Sequence, residues 1–166
     1  MRILLLTGPP GAGKTTVLTA LMGLLEADDV SYAALEVEAL SLVHPWPDDD
    51  AAFAHLEFAA KSFQARGYPL LLVSATIEDD DYLRRLLDSL PRGDVVFVRL
   101  DAPPDLLRKR LTEREPPDWV GLPRLLDATG ELARSIASLP SVDIVLSTVN
   151  AEPRELAAAI CEAIAP

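Results

Sequence analysis

The stretch Gly8-Pro9-Pro10-Gly11-Ala12-Gly13-Lys14-Thr15 matches the Walker A pattern G-x-x-x-x-G-K-[ST] at every fixed position. The apolar run Ile-Leu-Leu-Leu at 3–6 precedes it and predicts a buried parallel strand, and apolar residues at helical spacing follow it over 17–25. Strand, glycine-rich loop and helix form the context in which this motif cradles a polyphosphate. The sequence therefore predicts that the chain binds a nucleoside triphosphate.

Each part of this motif has an expected role in phosphate binding. The glycines let several backbone N–H groups point at the phosphates, and the N-terminus of the following helix adds partial positive charge. Lys14 is expected to reach the β- and γ-phosphates, and the hydroxyl of Thr15 is expected to bind Mg²⁺. The predicted nucleotide-binding residues of this stretch are Gly8, Pro10, Gly11, Ala12, Gly13, Lys14, Thr15 and Thr16.

The composition limits the classes of function. The chain has 166 residues, 49% of them hydrophobic, and a formal net charge of −11. The length favours one domain, and the charge disfavours nucleic acid and anionic membranes as partners. No signal peptide and no run of the roughly 20 apolar residues of a membrane span is recognisable, and the single Cys161 fits a reducing compartment. We expect a cytoplasmic protein that acts on a small molecule; nothing in the sequence indicates an oligomeric state.

Strand and helix patterns alternate along the whole chain. Further apolar runs at 30–37, 70–73, 95–98 and 143–146 predict four more strands, with helices between them. Thr76 is predicted to cap the helix that follows the third strand. No repeat or linker is recognisable, so residues 1–166 are expected to form a single α/β domain around a five-stranded parallel sheet.

Two P-loop classes are disfavoured by missing motifs. A GTPase is expected to carry N-K-x-D, which is absent, and the D-x-x-G match at 127–130 lies inside a predicted helix rather than after a strand. An oligomeric motor ATPase is expected to be longer and to end its Walker B strand with a carboxylate, whereas the third strand ends in Val73-Ser74-Ala75. These absences favour a compact P-loop protein.

The chain resembles the P-loop small-molecule kinases, a group that includes gluconate, shikimate and adenylylsulfate kinases. The resemblance is carried by the P-loop, by the strand end Ser74-Ala75 and by the stretch Leu-Arg-Lys-Arg-Leu-Thr-Glu-Arg at 107–114, which is similar to the lid helix of these kinases. It implies a three-layer αβα sandwich with sheet order 2-3-1-4-5 and a short mobile lid around 110–124. Signatures of adenylate, thymidylate and shikimate kinases are missing, so the resemblance implies no particular acceptor.

Glu36 and Glu38 are the acidic residues best placed for chemistry. Alternation along the second predicted strand puts both on one side, at the carboxyl end where ligands bind in open α/β sheets. In the kinases that the chain resembles, Asp residues here orient the acceptor hydroxyl, accept its proton or hold a metal-bound water. Glu36 is our first candidate for the base and Glu38 our second. The alternative is that both are solvated carboxylates at a strand exit.

Arg110 and Arg114 are four residues apart and therefore share one face of a helix. Positive charge over the phosphates stabilises the oxygens of the γ-phosphoryl group during its transfer. The resemblance implies that Arg110 also packs against the adenine ring and that the loop containing Asn150 lines the adenine. The alternative for the two arginines is ordinary surface charge, paired with Glu113 and Glu115.

Other polar and aromatic residues leave alternatives open. Arg84 and Arg85 follow the third strand and are candidates for binding an anionic acceptor. Trp46, between two prolines, is either an aromatic wall for the acceptor or a hydrophobic plug over the core. His44 and His55 have no partners at zinc-ligand spacing, so a structural metal is not expected.

These residues and the resemblance predict an ATP-dependent phosphotransferase. It would move the γ-phosphoryl group of Mg·ATP to a hydroxyl of a small molecule, with ATP and Mg²⁺ as cofactors. The alternative, from another class, is a regulatory or assembly protein that binds ATP, hydrolyses it slowly and has no acceptor. The predicted catalytic residues are Lys14, Glu36, Glu38, Arg110 and Arg114.

Overall fold

The structure is a computed structural model that describes residues 1–44 and 49–164. A 3₁₀ helix spans Val37–Ser41. The strands are β1 (Arg2–Thr7), β2 (Tyr32–Glu36), β3 (Leu70–Ala75), β4 (Asp94–Asp101) and β5 (Ile144–Ser147). The helices are α1 (Lys14–Ala27), α2 (Asp49–Ala65), α3 (Asp80–Asp88), α4 (Pro104–Arg114), α5 (Leu122–Ala137) and α6 (Pro153–Ile164).

The strands form one sheet, in the order β2-β3-β1-β4-β5, and every neighbouring pair is parallel. One face carries a hydrophobic cluster with residues of α2, α3 and α5, and the other face a cluster with residues of α1, α4 and α6. Helices therefore cover both faces of the sheet. The predicted αβα sandwich and its order 2-3-1-4-5 are confirmed.

β1 lies in the middle of the sheet and is buried on both faces. Ile3 and Leu5 belong to the first cluster, and Leu4 and Leu6 belong to the second; all four have no exposed surface. Burial on both sides explains why this run is apolar at every position. Because the P-loop directly follows β1, it lies at the carboxyl edge of the sheet, where parallel α/β sheets bind ligands.

The second strand is shorter than predicted. β2 ends at Glu36, and the chain then turns into the 3₁₀ helix, so Glu38 does not continue the strand as the prediction from 30–37 required. Val37 is buried at 3% exposure, which anchors this turn to the core. The prediction that the two carboxylates share a strand face is therefore wrong in its geometry.

The fourth strand is longer than the apolar run at 95–98 because polar residues at its two ends find partners. Asp94 pairs with Arg2 of β1 at 3.1 Å, and Arg99 pairs with Asp101 at 2.9 Å. The prediction from apolar residues alone could not include these positions. The pairing of β4 with β1 extends over all six residues of β1.

The start of α3 also differs from the prediction. Asp79 caps this helix, since its carboxylate accepts the backbone N–H of Tyr82 at 2.8 Å. The predicted cap at Thr76 is wrong because the buried Ile77, whose N–H donates to the hydroxyl of Thr7 at 3.2 Å, holds the chain against the sheet edge before the helix begins. Thr76 thereby stays beside the P-loop.

Two further features bear on the predictions. The D-x-x-G match at 127–130 lies inside α5, as expected. The proline-bracketed segment with Trp46 lies outside the described residues. In the part of the chain that the structure describes, no helix is both long and apolar enough to span a lipid bilayer.

Candidate functional site

The P-loop joins β1 to α1 in a conformation that depends on its glycines. Gly11 has a φ of +83°, and a Cβ built on it would lie 2.8 Å from the carbonyl oxygen of Leu107 in α4. Gly13 has a φ of +93°, and a Cβ there would project into open space. Gly11 therefore permits close contact with α4, and Gly13 leaves the loop open on its ligand side.

Lys14 is the first residue of α1, and its side chain folds back over the loop. Its Nζ donates to the carbonyl oxygen of Gly8 and to the hydroxyl of Thr76, both at 2.9 Å. Burial lowers the pKa of Lys14, an effect that Glu38 and Glu36 oppose and Arg114 reinforces. Burial therefore disfavours the charged form of the ammonium group, and an anionic ligand would offset this cost.

A cavity of about 300 Å³, here called the P-loop cleft, opens on one side of the loop. The P-loop and the start of α1 form one wall, α4 forms a second, and the chain after β5 forms a third. Apolar groups of Val17, Pro153 and Leu156 lie opposite the loop's backbone. The full lining is Gly11, Ala12, Gly13, Thr16, Val17, Arg110, Arg114, Thr148, Ala151, Pro153 and Leu156.

Arg110 connects three walls of the P-loop cleft. Its guanidinium donates to the hydroxyl and to the carbonyl oxygen of Thr148, each at 2.8 Å, and to the carbonyl oxygen of Gly11 at 3.3 Å. Thr148 is only 5% exposed. These bonds hold Arg110 within the wall of the cleft, so it is not ordinary surface charge. Asn150 lies on an exposed turn with a φ of +54°, beside Ala151 of the cleft lining.

A second cavity of about 470 Å³, here called the carboxylate cavity, also borders the P-loop. It is bounded by the loop, by the ends of β2 and β3 and by the last residue of α4. It shares Gly11, Gly13, Thr16 and Arg114 with the P-loop cleft. The full lining is Pro10, Gly11, Gly13, Lys14, Thr15, Thr16, Glu36, Glu38, Ser74, Thr76 and Arg114.

The two carboxylates of this cavity have different surroundings. Glu36 is half-buried at the end of β2, and its Oε1 is buried without a hydrogen-bond partner among the described residues. Glu38 is exposed in the 3₁₀ helix, and its Oε1 accepts the backbone N–H of Thr76 at 2.7 Å. The fold thus brings together the two carboxylates that the sequence singled out, although only Glu36 lies on the strand.

Arg114 is the charged side chain common to both cavities. It is the last residue of α4, its side chain is 62% exposed, and its Nε donates to Glu115 at 2.7 Å. The predicted pairing of this arginine with a nearby glutamate is therefore present, and it coexists with a position at the junction of the cavities.

Other predicted residues lie elsewhere. Arg84 pairs with Asp81 and Asp88 along α3, and Arg85 pairs with Asp50 and lies 4.7 Å over the ring of Phe53. Neither arginine lines the carboxylate cavity. The hypothesis that they bind an anionic acceptor finds no support in this geometry.

Histidine contributes to neither cavity. His44 is exposed, and Nδ1 of His55 lies 3.2 Å from the carbonyl oxygen of Leu40, outside both linings.

Three hydroxyl residues of the site were not predicted to bind or react. Thr76 contacts both Lys14 and Glu38, Thr148 fixes Arg110, and the buried Ser74 lines the carboxylate cavity. Thr76 and Ser74 follow from the sheet order, because β3 lies next to β1 and its end meets the P-loop. Thr148 carries no signal in the sequence.

The residues present fit a magnesium-bound nucleoside triphosphate. Gly13 leaves the loop open, the Lys14 ammonium lies against the loop, and the mouth of the P-loop cleft is apolar opposite it. Thr15 is exposed and lines the carboxylate cavity, and its hydroxyl is a hard oxygen donor of the kind that Mg²⁺ prefers.

Comparison with known proteins agrees with this geometry. The chain belongs to the family described as AAA domain, whose model matches residues 3–129. A nucleotide-binding protein of Dinoroseobacter shibae is 28% identical over 95% of the chain, and another from Granulibacter bethesdensis is 29% identical over 99%. The matches cover 48% and 47% of those proteins, so the chain spans about half the length of these curated relatives.

Several of the similar solved structures are small-molecule kinases. A sugar kinase from a Janibacter species superimposes with a TM-score of 0.69 at 20% identity, covering 98% of this chain and 93% of that one. The adenylylsulfate kinase of Mycobacterium tuberculosis gives 0.67 at 17%, covering 97% and 95%. A gluconokinase of Sinorhizobium meliloti gives 0.59 at 21%, covering 98% and 95%. The predicted resemblance to the P-loop small-molecule kinases is confirmed at the level of the fold.

Proposed function

We propose that the protein is an ATP-dependent phosphotransferase that moves the γ-phosphoryl group of Mg·ATP to a hydroxyl of a small molecule. One observation carries this proposal: the P-loop borders two cavities, and the second is lined by two carboxylates as well as by Lys14. A nucleotide in the P-loop cleft would extend its phosphates to Lys14 and Thr15, which line the carboxylate cavity. The rest of this cavity, whose whole volume is about 470 Å³, would provide room for an acceptor next to the γ-phosphate.

The nucleotide side would be held by the P-loop and by the arginine face of α4. Backbone N–H groups at the start of α1, with Lys14, neutralise the phosphates. Arg110, held by Thr148, fixes the wall against which the base would lie. Mg²⁺, bound through the Thr15 hydroxyl, would supply positive charge against the phosphate oxygens. The names of the curated relatives support nucleotide binding.

Glu36 is the general base in this proposal. The acceptor's hydroxyl oxygen forms a bond to the γ-phosphorus while the bond from that phosphorus to the β–γ bridging oxygen breaks, and ADP leaves. The hydroxyl proton passes to Oε1 of Glu36, the buried carboxylate oxygen without a partner. Glu38 is a positioning residue, because Oε1 is already engaged by the N–H of Thr76.

Arg114 would act on the group in transfer. Its position at the junction of the cavities puts positive charge where the γ-phosphoryl group passes from donor to acceptor. The segment between α4 and α5 would close over it as the lid predicted around 110–124. Trp119 is 43% exposed and Val120 is 95% exposed there, which leaves apolar surface for closure to cover.

The proposed setting is the cytoplasm, where Mg·ATP is available and the single cysteine stays reduced. A second candidate function is favoured by the lengths of the curated relatives. Because these nucleotide-binding proteins are about twice as long, this fold would serve in them as one part of a larger nucleotide-responsive protein. Such a protein would hydrolyse ATP slowly and transfer no phosphate to an acceptor.

The two candidates differ in where the γ-phosphate goes. The test incubates the protein with γ-labelled Mg·ATP and a protein-free filtrate of bacterial metabolites, then separates labelled organic phosphate from inorganic phosphate. If the protein transfers phosphate to an acceptor, a labelled organic phosphate should form in the presence of the filtrate and should not form in its absence. Label that appears only as inorganic phosphate, at a rate the filtrate does not change, would favour the regulatory protein.

A further inference from the structure

We infer that the acceptor is a small hydroxyl compound carrying an ammonium group, rather than a neutral or an anionic one. This inference rests on the proposed phosphotransferase function and names the substrate class of the same site. The observation behind it is the distribution of charge in and around the carboxylate cavity.

The charges that line the carboxylate cavity divide between the two substrates. Lys14 and Arg114 are its cations, and Glu36 and Glu38 are its anions. Lys14 belongs to the P-loop and Arg114 also lines the P-loop cleft, so the phosphates of the nucleotide engage both cations. Two carboxylates then remain for the acceptor, and a positive charge on the acceptor would compensate them.

The surroundings of Glu36 increase the stabilisation that a positive charge on the acceptor would give. Its Oε1 is buried and accepts no hydrogen bond from any described residue. Burying a charged oxygen without a hydrogen-bond donor is energetically unfavourable, and hydrogen bonds from a charged donor are the strongest interactions that can offset this cost. A hydroxyl with a neighbouring ammonium group would give one carboxylate its donor and the other its counterion.

The basic residues nearest in sequence do not supply positive charge to the cavity. Arg84 and Arg85, which follow β3, are held in ion pairs on α3 and between α3 and α2. The acidic partners of both arginines lie outside the cavity lining. An anionic acceptor would therefore meet two carboxylates with no arginine reserved for it.

The chain that leaves the cavity is also acidic. Residues 36–60, which lead from the end of β2 into α2, contain six carboxylates and no Lys or Arg. The first cation, Lys61, is paired with Glu57 one turn earlier on α2. A segment with this charge attracts cations and repels anions as they approach. The carboxylates of the cavity and the acidic composition of this segment therefore favour the same class of acceptor, one with a positive charge.

The first test sorts acceptors by charge. The protein-free metabolite filtrate is separated by ion exchange into cationic, neutral and anionic fractions, and transfer of label from γ-labelled Mg·ATP is measured with each. The expected result is labelled organic phosphate with the cationic fraction. Transfer with the neutral or anionic fraction alone would overturn the inference and leave the proposed function standing. Absence of transfer from all fractions would contradict the proposed function itself.

The second test removes one negative charge from the cavity. Glu38→Gln should require about tenfold more of the cationic fraction for half-maximal transfer, because a charged hydrogen bond or ion pair is replaced by a neutral one. Glu162→Gln on α6 changes the net charge equally at an exposed position outside the cavity and should leave half-saturation unchanged. Equal half-saturation in the Glu38→Gln variant and the parent would overturn the inference.

Discussion

The P-loop cleft and the carboxylate cavity share Arg114 and part of one loop, but they are built differently. The cleft joins the P-loop and the start of α1 to the arginine face of α4 and to mostly apolar residues of the chain after β5. The carboxylate cavity is formed by side chains from the P-loop, from the ends of β2 and β3 and from α4. In the proposed function, the nucleotide would be bound mainly through the P-loop, whereas an acceptor would be selected by side chains that only the sheet order brings together.

The largest expected effect comes from Lys14, the residue of the carboxylate cavity that we propose binds the phosphates of the nucleotide. Lys14→Ala removes the ammonium group from the phosphates and leaves the hydroxyl of Thr76 without its donor. We expect productive Mg·ATP binding to fall by roughly 100-fold or more and transfer to be lost, since a charged contact to phosphate is removed. Calorimetry with an ATP analogue measures the first effect, and circular dichroism checks the fold. Unchanged affinity would refute the phosphate-binding role of Lys14.

A smaller effect is expected from a residue of the cleft alone. Thr148→Val keeps the shape of the side chain but removes the hydroxyl that accepts from Arg110 at 2.8 Å. Because the bond to the carbonyl oxygen of Thr148 remains, affinity for Mg·ATP should fall only about tenfold. Thr112→Val, on the exposed face of α4, is the matched control and should not change affinity. If Thr148→Val and Thr112→Val had the same affinity for Mg·ATP, the bond between Thr148 and Arg110 would have no part in nucleotide binding.

The next prediction tests the lid that we expect to close over the junction of the two cavities. Residues 115–121 link α4 to α5 and include the exposed Val120, so their amide hydrogens should exchange rapidly in the free protein. Binding of an ATP analogue should slow this exchange several-fold, while β1 should remain protected in both states. Slow exchange without nucleotide, unchanged on binding, would show that the segment is a fixed connection.

The smallest effect expected is on stability as a function of pH. Burial lowers the pKa of Lys14 below its ordinary value of 10.5, so the unfolded chain binds more protons than the folded chain between the two values. The free energy of unfolding of the parent should therefore rise with pH in that interval, relative to Lys14→Met. Urea titrations of both proteins at several pH values below 10.5 measure the difference. A difference that is constant with pH would contradict the burial of the charge.

Most of the fold could be predicted because its signals are local. The five apolar runs and the P-loop identified every strand and the first helix, while the sheet order came from the resemblance rather than from spacing. Errors arose where polar contacts decide: Glu36 ends β2, and Asp79 rather than Thr76 caps α3. Such positions depend on neighbours that are distant in the sequence.

The candidate site could be predicted only in part. The loop residues and Glu36 follow from motif and strand register, and their binding and catalytic roles remain proposals. Thr76 and Thr148 were missed as site residues because a threonine has no distinctive spacing, and its role appears only when strand ends meet. Side chains that support other side chains are therefore the hardest part of this site to read from sequence.

The most direct test of the central claim compares Glu36→Gln with the parent in two measurements on the same preparation. The affinity for Mg·ATP measures nucleotide binding, and the rate of label transfer to an organic phosphate measures the chemical step. The variant keeps its shape but loses the base, so affinity should change by less than about threefold while transfer falls ~10²–10⁴-fold. Glu38→Gln should reduce the maximal rate less. Loss of affinity and rate in equal measure, or a transfer rate that Glu36→Gln does not change, would contradict a division of the site into a nucleotide side and a transfer side.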